Sequence, residues 1–190
     1  MKTESDVCSF QSQSEFRNWL KRNHDESSGI WLRIFKASAE IPTVTYAEAL
    51  DEALCFGWID GQKKPYDSQS WIQKFTPRRV RSKWSKRNTE HVARLIKAKK
   101  MTPAGLREVK AAKADGRWST AYDSFSNAKV PDDFLKRLAK NKKASAFFKT
   151  LNKTNLYSIS YRLQTAKKPE TREKRIQAFL KMLENGETFR

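Results

Sequence analysis

The chain has 190 residues, enough for one domain or two small ones, and its 39 Lys and Arg against 21 Asp and Glu give a formal net charge of +18. Aromatic residues make up 12 %, six of them Trp, which excludes a disordered chain that lacks the rings to build a core. No apolar run long enough to span a membrane as a helix occurs.

In chain order, Phe16, Trp19 and Leu20 recur at helical spacing and predict an amphipathic helix, broken by Ser27-Ser28-Gly29. Ile30 to Phe35, rich in β-branched and aromatic residues, reads as a strand. Thr45 followed by Glu48 is a capping box, and Ala49, Ala53, Leu54 and Phe56 give the next helix its apolar side until Gly57 ends it. Trp58 to Gly61 is expected to be short and extended, with Gly61 in a turn, and Ser70 to Phe75 reads as its partner strand.

Everything after Pro77 reads as helical. Val92, Leu95 and Ile96 mark one apolar stripe. Thr102-Pro103 starts a further helix with Leu106 and Val109 expected to face inward, and Gly116 ends it. Ser119 to Asn127 is a Ser-rich connector and the best boundary candidate. Beyond it, Phe134, Leu135 and Leu138, then Phe147, Phe148 and Leu151, then Leu156, Ile159 and Leu163 form successive apolar faces. Pro169 opens the last helix, whose Ile176, Phe179, Leu180 and Leu183 repeat at i, i+3, i+4, i+7 before Asn185-Gly186 closes it. The pattern predicts an α+β protein: mostly helical, with a small N-terminal antiparallel sheet packed on helices and a helical C-terminal part.

The charge is divided along the chain. Residues 1–62 hold six basic and ten acidic side chains, whereas residues 63–190 hold 33 and 11. A field of that sign attracts polyanions: nucleic acid, anionic lipid or phosphorylated ligands. A basic solvated surface that only aids solubility accounts for it equally well.

Two segments are candidates for a site. In Phe56-Gly57-Trp58-Ile59-Asp60-Gly61-Gln62-Lys63-Lys64, Trp58 and Asp60 share a face of an extended chain and form one wall of a pocket, with Lys63 beside them. The competing reading has Trp58 filling the core and Asp60 capping a turn or pairing with an arginine. In Phe75 to Asn88, the side chains Arg78, Arg79, Arg81, Lys83, Lys86 and Arg87 surround Trp84. Guanidinium groups bind phosphate bidentately, and a ring among them stacks on bases. The competing reading places Arg78 or Arg79 in a salt bridge to Asp60 and Trp84 over an apolar edge. No GxxxxGK[ST], GxGxxG or HExxH occurs. His24 and His91 read as surface or boundary residues, and Cys55 as a small buried hydrophobe. No catalytic residue, metal or cofactor is assigned. Cys8 and Cys55 form no CxxC and are expected as reduced thiols.

Glu52 to Gly61, read as EALCFGWIDG, resembles the signature of the YdeI/OmpD-associated family, also called bacteriocin-protection proteins. The resemblance continues through Phe75 to Arg79, Ser82 to Asn88, Met101 to Gly105, Asp115 to Trp118 and Ala166 to Ile176. The chain is expected to divide into an α+β region over residues 1–126, which holds the GWIDG and FTPRR motifs, and a C-terminal helical region over 127–190 that the resemblance marks as typical of the family. It implies no reaction, cofactor or catalytic residue. The family name links it to bacteriocin resistance and an outer-membrane porin. The segment MKTESDVCSF lacks a basic-then-apolar export pattern, so the cytoplasm is expected.

Three functions follow as expectations. The first is a non-enzymatic protein binding an anionic partner, nucleic acid or a phosphorylated ligand, through the basic segment. The second is a small-ligand receptor or enzyme with a pocket around Trp58, Asp60 and Arg78. The third is a bacteriocin-protection or stress-resistance protein acting through a protein partner.

Overall fold

A computed structural model describes residues 7–125 and 127–188. The first six residues, which begin the segment on which the export expectation rests, lie outside it. The described residues contain four strands and eight α-helices. They divide into two compact units: residues 7–84 with 88–120, and residues 85–87 with 121–188.

The first unit is built on β1 (Val7–Ser9), β2 (Ile30–Phe35), β3 (Trp58–Pro65) and β4 (Ser70–Pro77), in the order β1-β2-β4-β3. β2, β4 and β3 pair antiparallel. β1 pairs parallel to β2, so the sheet is mixed. This edge strand is only three residues long, too short to show a period in the sequence. β2 buries Ile30, Leu32 and Ile34 and leaves Trp31, Arg33 and Phe35 partly exposed, which defines a core face and an outer face. On the core face, Phe75 and Trp58 close an aromatic cluster with Phe10, Phe16 and Trp19. Each fully buried large ring or aliphatic chain contributes on the order of 2–3 kcal/mol of transfer free energy.

Gly61 does not sit in a turn. It lies inside β3, where the pairing with β4 slips between Asp60 and Lys63. The buried Gln73 of β4 fixes that bulge by donating its Nε2 to the carbonyls of Gly61 (2.9 Å) and Gln62 (3.2 Å). A bulge frees carbonyls from the ladder, and Gln73 supplies the donor they lose.

Helices α1 (Gln13–Asn23) and α2 (Tyr46–Cys55) pack together, and α2 packs on β3. Thr45 and Glu48 form the expected capping box on α2. α3 (Lys86–Lys97) and α4 (Pro103–Ala114) follow. In α3, Val92 and Leu95 are buried while Ile96 is exposed, one step beyond the stripe. In α4, the inner face is Gly105, Val109 and Ala112 at i, i+4, i+7, so Leu106 points outward, contrary to expectation. The reason is a close approach. Thr102 donates both its backbone N–H (3.1 Å) and its Oγ1 hydroxyl (2.7 Å) to the Cys55 carbonyl at the end of α2. A Cβ on Gly105 would lie 2.3 Å from that same oxygen. Only glycine fits at this point of α4.

The end of α2 is also an electrostatic junction. Glu52, 3 % exposed, accepts from Arg17 (2.5 Å) and Gln13 (2.6 Å), and Arg17 also donates to the Lys100 carbonyl (3.0 Å). Burial, then the nearby Glu52 carboxylate, pushes the Cys55 thiol up to about 11.

The second unit contains α5 (Asp132–Leu138), α6 (Lys142–Phe148), α7 (Lys153–Gln164) and α8 (Pro169–Glu184). Phe134, Leu138, Ile159, Leu163, Ile176, Phe179 and Leu183 from the predicted faces form its core with Ala144, and Leu135, Phe147, Phe148, Leu151 and Leu180 pack against it partly buried. Arg172 and Arg175 of α8 donate to the Leu163 and Arg162 carbonyls in the last turn of α7, satisfying acceptors that a helix end leaves open. Arg172 also pairs with Asp133 (2.7 Å).

Gly105→Ala is expected to destabilise the chain by about 2–3 kcal/mol in urea denaturation, although the same change in an open helix stabilises by about 1 kcal/mol. In thiol titration of the native chain at pH 8, Cys55 is expected to stay unlabelled and to react only after denaturation, because only the thiolate reacts.

Candidate functional site

Trp58 fills the core, as the competing reading has it. Trp58 is 1 % exposed, packs edge-on against Trp19 (5.8 Å) and donates its Nε1–H to the His24 carbonyl (3.1 Å). Asp60 shares the core face but accepts from the Tyr46 hydroxyl of α2 (2.7 Å). Lys63 is exposed, with its Nζ 4.0 Å above the Trp71 ring, which packs against Tyr46 (6.1 Å). The sequence shows none of the pairings with Tyr46 and Trp71, because they depend on tertiary neighbours.

The Arg78–Arg87 segment separates into an inner and an outer set. Arg78 is 7 % exposed: its guanidinium lies 3.5 Å over the Trp84 ring and donates to the Lys83 carbonyl (3.2 Å), and its backbone N–H bonds Gly57 O (3.0 Å). Trp84 is 2 % exposed, between Arg78 and Trp118 (5.0 Å). Burial removes both from the set able to meet a ligand: Trp84 offers no open ring face to a base, and Arg78 braces a loop. Arg117, also buried, reaches Ser82 O (2.9 Å) from within and is held by Asp115 (2.6 Å). The loop is therefore fixed from inside by two arginines.

That bracing leaves Arg79, Arg81 and Lys83 on the outside, all exposed. The Arg79 and Arg81 guanidinium groups join none of the ion pairs formed among the described residues. Lys86 and Arg87 are exposed as well but belong to the second unit, where Lys86 pairs with Asp123 (2.6 Å). That pairing, with Lys86 the largest cause, holds the Asp123 carboxyl below the usual range.

Two cavities lie elsewhere. One in the first unit, of about 430 Å³, is lined by Arg17, Lys21, His24, Phe56 and Arg107 among others. One in the second unit, of about 400 Å³, is lined by Arg162, Thr171, Lys174, Arg175 and Phe179 among others. Neither includes Trp58, Asp60 or Arg78. Asp25 also lines the first, and Glu52 already engages Arg17 there.

His91 and Asp51 are engaged with each other and with Arg94. His91 Nδ1 lies 2.9 Å from Asp51, which Arg94 also holds (2.7 Å). Burial raises the Asp51 pKa, but hydrogen bonds from Arg94 and His91 outweigh it and hold the carboxyl below its usual range. Among the described residues no group of three or more His, Cys, Asp or Glu side chains is placed to hold a metal. No described helix is long and apolar enough to cross a membrane.

Residues 8–108 match the model of a domain of unknown function, DUF8412, which spans more than half of the chain. Residues 127–186 match the model of the Bacteriocin-protection, YdeI or OmpD-Associated family. No curated protein and no solved structure matches. The GWIDG and FTPRR motifs thus fall on the first model, and the closing motif, Ala166 to Ile176, on the second. The chain belongs to the DUF8412 family, and its C-terminal helical segment is similar to the Bacteriocin-protection, YdeI or OmpD-Associated family over residues 127–186.

Proposed function

We propose that this protein binds nucleic acid through its basic surface, in the cytoplasm, and acts by binding rather than by catalysis. The supporting observation is the braced loop: Arg78 and Arg117 hold it from inside, and Arg79, Arg81 and Lys83 are each exposed on it. An unpaired guanidinium on an ordered backbone meets a phosphate without first breaking a salt bridge or ordering a loop, and it presents donors in the planar fork that phosphate accepts. The wider field favours the same ligand, since residues 63–190 carry three basic side chains for each acidic one.

A polyanion that releases counterions gives binding that falls steeply with salt. In fluorescence anisotropy with short labelled DNA and RNA, affinity is expected to drop as KCl rises. Arg79→Gln with Arg81→Gln is expected to weaken binding uniformly across sequences. The log–log salt slope is expected to fall by about 2, one for each phosphate that an arginine no longer neutralises. Absence of salt-dependent binding at low ionic strength overturns the proposal.

A further inference from the structure

The outer face of the sheet carries a second basic feature, independent of the loop. Trp31 of β2 stands directly opposite Lys74 of β4. The ammonium groups of Lys64 and Lys74 lie 4.7 and 5.2 Å from the centroid of the Trp31 ring. Neither lysine joins an ion pair among the described residues. Farther along the same face, the Arg33 guanidinium sits over Phe35 (4.4 Å) and over Tyr66 (4.9 Å), which is half exposed. Here a carboxylate is present: Asp67 holds Arg33 at 2.6 Å. The face thus has a ring station with its positive charge balanced and one with two positive charges and no counter-ion.

The unbalanced station is electrostatically costly. Two ammonium groups share one indole, and the Lys74 pKa is lowered by partial burial and then by the Lys64 charge. An arriving phosphate relieves that repulsion. A base then stacks on the ring that the lysine stems leave, as sheet surfaces with exposed aromatics take unpaired bases. Trp31 and Phe35 are four residues apart on one strand, about 13 Å, which gives room for more than one base. Rings on the surface of a sheet do not reach bases that are paired and stacked inside a duplex, so the placement favours a single strand.

Building on the nucleic-acid reading above, we propose that the outer face of the sheet is a stacking platform for single-stranded nucleic acid, with Trp31 and the Phe35–Tyr66 pair seating bases and Lys64 and Lys74 holding phosphates. The test compares a short labelled oligothymidylate with a duplex of the same length at low salt. Trp31→Leu is expected to weaken single-strand binding by about tenfold and to leave duplex binding unchanged. Lys64→Gln with Lys74→Gln is expected to weaken single-strand binding too.

If folded Trp31→Leu binds the single strand like the wild type while the Arg79/Arg81 variant is impaired, the platform is wrong and the nucleic-acid reading stands. If the wild type binds neither probe, both fall. If poly-glutamate displaces the oligonucleotide from wild type and Trp31→Leu alike, the face reads charge alone and the platform is again wrong. Should circular dichroism show Trp31→Leu unfolded, ultraviolet cross-linking of the native chain to 4-thiothymidine DNA decides. Adducts on the peptides holding Trp31 or Tyr66 support the platform, and adducts only elsewhere overturn it.

Discussion

One carbonyl organises the first unit. Cys55 O, at the end of α2, accepts both donors of Thr102, and Gly105 lets α4 come close enough for this. The last carbonyls of a helix lack partners of their own, and the first N–H groups of the next helix lack theirs; joining the two satisfies both in one step. The residue before the junction is Leu54, and two residues after it Gly57 takes a positive φ of 77° and turns the chain into β3. The direction of β3, and with it the position of the hairpin and the basic loop, follows from this contact.

The basic loop shows how little a residue type reveals about its role. Arg78 and Arg79 are neighbours, yet one is buried over an indole and the other is exposed. A buried guanidinium is costly unless its charge meets a partner; the Trp84 face takes that charge, and the Lys83 carbonyl takes one donor, Nη1. The positive charge of the segment is thus divided between two tasks. Part of it builds the surface from below, and the rest is what that surface displays.

Local signals were legible. The capping box at Thr45-Glu48, the Thr102-Pro103 start and the Asn185-Gly186 stop all depend on residues a few positions apart, and each element forms where they place it. The four apolar faces of the second unit were legible for the same reason. What depends on distant neighbours was not. Leu106 points outward because of an approach that only Gly105 permits, Asp60 meets Tyr46 rather than an arginine, and Gly61 lies in a bulge held by Gln73 from another strand. Trp31, Lys64 and Lys74 sit on three strands, and nothing in their spacing along the chain brings them together.

The bulge in β3 has a consequence for how such a sheet tolerates changes of length. Strand side chains alternate between faces, so removing the extra residue would exchange the faces of everything after it. The two residues that follow are Lys63, over Trp71 on the core side, and Lys64, over Trp31 on the outer side. They would trade places and leave one lysine on each face, as before. A tandem of identical residues makes the electrostatics of both surfaces indifferent to a slip that would rewrite an ordinary strand.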